Sequence, residues 1–92
     1  MSKKFKENLN TAVFTSDYVL SGSSPIVYIA HHEDGSWEFW SKETISESDV
    51  RVVSLQQIIA IDPSVLEVAD LPLQFAAVRD DISRPWNLIS KN

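Results

Sequence analysis

Apolar residues alternate with polar ones in some stretches of this chain and recur every three or four residues in others. That change of period divides it into elements. The densest signal runs from Ile26 to Ser41, where IVYIAHH is followed by EDGS and then WEFWS. β-branched and aromatic residues fill both arms, as strands prefer. Asp34-Gly35 between them predicts a hairpin turn, because Gly tolerates the positive φ such turns need. Alternation puts Val27, Ile29 and His31 on one face and Ile26, Tyr28 and Ala30 on the other. Both sets are largely apolar, which predicts a central strand with partial cover on each side. In the returning strand Trp37 and Phe39 share a face, with Glu38 and Trp40 opposite.

Shorter signals flank the hairpin. Thr11 to Thr15 reads as a strand, Val13 on one side and Ala12 and Phe14 on the other. The run Ser21-Gly22-Ser23-Ser24-Pro25 marks a loop. Before it, Tyr18, Val19 and Leu20 form a brief turn pinned to the core. Lys42 to Asp49 is an acidic surface loop, and Val50 to Val53 another strand. Ser54 then caps a helix, with Gln57 three residues on. Leu55, Ile58 and Ile59 supply its apolar stripe over 54–61. Asp62-Pro63 ends that helix and opens a second over 63–70, which buries Val65, Leu66 and Ala69 before Pro72 stops it.

Leu73 to Arg79 returns to strand character, with Phe75 and Ala77 facing together. Trp86, Leu88 and Ile89 are expected to close the open edge of the core. The predicted fold is α+β: a mostly antiparallel sheet of four or five short strands, with one or two short helices packed against it. Ile29, Phe39, Ile58, Ile59, Leu66 and Phe75 are the expected core. Residues 1–92 form one domain, with residues 1–10 a loose N-terminal arm.

Composition narrows the function classes. Hydrophobic content of 43% with three Trp supports a globular body. There is no Cys, hence no disulfide framework and no thiolate site. No stretch approaches the ~20 apolar residues of a membrane span, and no signal-peptide pattern follows Lys3, Lys4 and Lys6. A cytoplasmic location is the expectation. The formal charge is −5; beyond the three early lysines, 5 basic residues face 13 acidic ones. Phosphate backbones are repelled by such a surface, so nucleic acid is not an expected partner. Two glycines are too few for a phosphate cradle, and no cofactor is implied.

His31-His32-Glu33-Asp34 contains metal-ligand types, and a small metal-dependent hydrolase using His31, His32 and Asp34 is one alternative. The spacing opposes it, because neighbouring strand residues point to opposite faces. No GxSxG elbow places a nucleophilic Ser, and no catalytic residue is assigned. Tyr28, Trp40, Arg79, Arg84 and Trp86 are the candidate interaction residues, since aromatics and Arg anchor many interfaces. The expected partner is a protein, a basic one by charge, or a second copy of the chain in a self-associating structural role.

Three segments resemble a family of small, acidic, uncharacterised bacterial proteins, some of whose members are grouped with immunity proteins of polymorphic toxin systems. They are PIVYIAHHEDGSWEFWS (Pro25–Ser41), DVRVVSLQQIIAIDPSVLEVADLP (Asp49–Pro72) and QFAAVRDDISRPW (Gln74–Trp86). The resemblance covers about two thirds of the chain and rests on the order of the segments. It implies a bacterial cytosolic binding role and carries over no catalytic residue. Relatives often have an aromatic-rich strand after the Leu-Pro pair, where this chain has Phe75-Ala76-Ala77. The reading is a non-enzymatic protein-interaction module, immunity-like in class.

Overall fold

In a computed structural model that describes residues 3–90, all strands join one sheet. The first two residues of the expected arm and the last two of the chain lie outside the described residues. The strands are β1 (Ala12–Ser16), β2 (Tyr28–His31), β3 (Trp37–Trp40), β4 (Val50–Ser54), β5 (Phe75–Val78) and β6 (Asn87–Ser90). Their order across the sheet is β4-β1-β3-β2-β5-β6. Only the β1–β3 pairing is parallel; the other four are antiparallel.

The hairpin forms as its pattern predicts. His32 N–H donates to Ser36 O at 2.9 Å, and Gly35 takes φ 91° in the turn. Asp34 accepts from the Ser36 amide at 2.9 Å. The strand count is six instead of four or five. The addition is β6, whose Leu88 and Ile89 were expected to plug the core. They pair beside Ala77 and Ala76 and stay exposed. Alternation sends them to opposite faces at the sheet edge, so they cannot fill one gap.

Helix starts follow their caps. α1 (Asp17–Leu20) is a single turn whose Val19 is buried. α2 (Leu55–Ile61) begins where Ser54 Oγ accepts from the Gln57 amide at 3.1 Å. Asp62 accepts from the Ser64 amide at 3.0 Å and opens the second helix. This element spans Pro63–Val68 and is a 3-10 helix. Confined between Pro63 and Pro72, it closes with short-range bonds such as Ala69 N to Leu66 O, 3.1 Å. A further 3-10 turn, Glu47–Asp49, precedes β4. Among the described residues no helix is long and apolar enough to cross a membrane.

The core lies between one sheet face and the helices. Ile29, Phe39 and Ile58 are fully buried, beside Val13, Val19, Trp37, Leu55 and Val65. Ile59, Leu66 and Phe75 sit half-buried at its border. Full burial of one such aliphatic side chain contributes about 1.5–3 kcal/mol. The arm is not loose over its described part. Phe5 packs edge-on against Trp37, centroids 5.0 Å apart, and Trp37 Nε1–H donates to Glu7 at 2.9 Å. Lys3 pairs with Asp70 at 3.1 Å. Phe5 ties down a largely polar segment whose other described apolar residue, Leu9, stays exposed.

Candidate functional site

The two histidines separate as strand geometry requires. His31 enters the core and stacks on Trp37, with centroids 3.9 Å apart. Its Nδ1–H donates to Leu71 O at 2.7 Å, and its Nε2 lies 3.7 Å from Glu7. His32 goes to the other face, where its Nε2 is 2.7 Å from Glu38 Oε2. Asp34 remains in the turn, its carboxyl held below the usual range first by the Ser36 hydroxyl and then by the Ser36 amide. Among the described residues no group of three His, Cys, Asp or Glu is placed to hold a metal ion. The His31, His32 and Asp34 set is therefore not assembled into a metal site.

The sheet face away from the helices is the distinctive surface. The register defines a row across all six strands: Val52, Phe14, Glu38, Ala30, Ala76 and Ile89. A second row holds Trp40, Tyr28, Val78 and Asn87. None of these residues belongs to the buried core cluster. Val52 is 60% exposed, Ile89 46% and Phe14 39%, while Ala30 and Ala76 between them are buried. Glu38 is the one carboxylate in the two rows. Trp40 Nε1–H donates to its Oε1 at 2.7 Å, while His32 holds its Oε2. Because a carboxylate accepts, His32 Nε2–H is the donor in this contact.

The five expected interaction residues fall into two places. Tyr28 and Trp40 are cross-strand neighbours on the open face. Arg79 and Trp86 meet on the other side, with the guanidinium 4.0 Å over the Trp86 ring. Arg79 is buried. Its Nε and Nη2 donate to Ile26 O at 3.0 and 2.8 Å, Nη1 donates to Ser64 Oγ at 3.0 Å, and Nη2 pairs with Asp62 at 2.7 Å. The expected interface arginine thus clamps the α2 end to the sheet. Trp86 is half-buried and donates to Ser64 O at 3.3 Å. Arg84 is exposed in the turn before it, where its amide donates to Asp81 O at 3.1 Å.

Phe14, Val52, Ile89, Glu38 and His32 complete the open face, and the sequence reading did not select them for it. The alternation that set Phe14 opposite Val13 was the available signal, but it required the pairing of β1 with β3 and β4. A separate cavity of about 330 Å³ lies beneath the arm, lined by Lys4, Lys6, Glu7, His31 and Leu71. No family model, curated protein or solved structure matches the chain. Its function has to be read from its own side chains.

Proposed function

We propose that this chain is a non-enzymatic protein-interaction module, immunity-like in class, that presents its open sheet face to a basic partner protein. The observation that carries the proposal is the exposed apolar pair Val52 and Phe14 on neighbouring strands, with the half-buried Trp40 and Tyr28 in the adjacent row and Ile89 exposed at the far edge of the same face. Contiguous apolar surface rimmed by polar groups marks interaction sites more often than it serves a monomer. Trp and Tyr are enriched among residues that dominate binding energy. The net charge of −5 favours encounter with a cationic surface. A hydrolase reading draws no support from histidines that point to opposite sides of a sheet.

The test begins with a partner captured from the source bacterium and identified with the help of neighbouring genes. Binding is then measured with both proteins purified. Phe14→Asp and Val52→Asp should each abolish binding, and Arg84→Ala should leave it intact. Unchanged affinity in both face variants would remove the proposal. A second reading, self-association, draws on β6, an edge strand with apolar side chains exposed on both faces. Sedimentation across a range of concentrations decides it, and a strictly monomeric chain eliminates it.

A further inference from the structure

We infer that Glu38 is the receptor for an arginine side chain of the basic partner, with the Trp40 and Tyr28 rings beside it. This rests on the open-face reading and names the chemistry at its centre. Glu38 occupies β3, an inner strand of the sheet. Its cross-strand neighbours are Phe14 on one side and Ala30 on the other. Ala30 is itself buried, so the approach to the carboxylate is from the side of Phe14, which is 39% exposed.

The carboxylate is held before any ligand arrives. Trp40 and His32 each fix one oxygen at 2.7 Å. Each oxygen keeps acceptor capacity for a further donor. A group fixed in this way loses little freedom on binding, so more of the contact energy appears as affinity. The Glu38 side chain is 30% exposed, within reach of solvent. Among the described residues no Lys or Arg pairs with it. Its one ion-pair partner among them is the His32 imidazole, and the carboxylate, partly exposed, stays open to a further cationic donor from solvent.

Arginine fits this site better than lysine. Its planar fork can bond both carboxylate oxygens, and its weakly hydrated face can lie against an aromatic ring. Lysine offers a compact, strongly hydrated charge and gains less from Trp40 and Tyr28. The Arg79–Trp86 stack shows the same pairing of residue types inside this chain.

The probes are octaarginine, octalysine and octacitrulline, titrated into the full chain while the Trp40 indole N–H is followed by NMR. Octaarginine should shift that signal and bind about tenfold more tightly than octalysine, with octacitrulline inert. Glu38→Gln should bring octaarginine down to the octalysine level. A stationary Trp40 signal, or equal affinity for the two cationic peptides, overturns the inference without requiring any variant to fold. With the purified partner the two levels separate. If Phe14→Asp abolishes binding and Glu38→Gln preserves it, the arginine assignment fails and the face stands. If both variants bind normally, both fail.

Discussion

Replacing Arg79 by Met should move the urea midpoint sharply downward. In the folded chain the guanidinium donates to Ile26 O, Ser64 Oγ and Asp62, and covers the Trp86 ring. The ion-paired side chains are 3% and 20% exposed, so the pair is largely shielded from water. Breaking a buried pair by removing one partner costs about 3–5 kcal/mol, because the other charge is stranded. Asp62 keeps two donors from Ser64 and a little solvent, which favours the lower end, about 3 kcal/mol. The lost stack on Trp86 adds about 1 kcal/mol. A chain of this length has roughly 5–14 kcal/mol of stability in all, so a loss near 4 is a large part of it. The assay is urea unfolding followed by tryptophan fluorescence and circular dichroism. Arg79→Lys keeps the charge but loses the fork and should fall by about half as much. Arg79→Met with Asp62→Asn keeps an acceptor for the Ser64 amide and removes the stranded charge, so it should recover part of the loss. A drop below about 1 kcal/mol in Arg79→Met, or no recovery in the pair, would refute the stranded-charge reasoning.

Three other outcomes follow from local geometry. Gln74 holds φ 67°, a left-handed conformation that L side chains resist. Gln74→Gly should raise stability by about 0.5–1 kcal/mol and Gln74→Val should lower it, and thermal melts of both variants check the pair. Ser54→Ala removes the oxygen that accepts from Gln57 and should cost about 1 kcal/mol in urea unfolding. Glu43 accepts from Ser24 first and Ser41 second, and these hydroxyls hold its carboxyl below the usual glutamate range. A depressed folded value means the clamp contributes fully above the ordinary range and is lost as pH falls through the folded value. Carboxyl NMR titration should therefore show Glu43 moving upward in Ser24→Ala, and no movement would contradict the clamp.

The hairpin, the helix caps and the helix-facing core were legible because each depends on residues close in sequence. Asp34-Gly35 closes a turn, Ser54 meets an amide three residues on, and alternation sorts Trp37 and Phe39 from Glu38 and Trp40. Long-range pairing was not legible. Nothing local in NLIS announces that it will pair with FAAV, since its two apolar residues suit a plug as well as an edge strand. Arg79 looked like an interface anchor because its type is common there. Its partners, Ile26 and Asp62, lie far away in sequence, and only the folded backbone brings them together. The face assignment of Trp40 could be read from alternation, but Phe14 beside Glu38 and Val52 beyond it depended on the parallel pairing of β1 with β3 and its antiparallel pairing with β4, which no short motif encodes.

The open face invites a purely structural explanation, and magnitudes separate it from the binding one. An antiparallel sheet covered on one side usually turns polar residues outward on the other. Here the six-residue row from Val52 to Ile89 has one charged member, Glu38. Cross-strand pairs of large side chains stabilise a sheet by about 0.2–1 kcal/mol each, so Phe14 and Val52 contribute only modestly to the isolated fold. Covering a large apolar side chain at an interface is worth about 1.5–3 kcal/mol. Phe14→Thr with Val52→Thr keeps β propensity while removing apolar area. This double variant should lose about 1 kcal/mol or less in urea unfolding, yet lose partner binding by roughly a hundredfold. A stability loss above about 2 kcal/mol with undiminished binding would mean that the row serves the fold, and that the partner, if any, docks elsewhere.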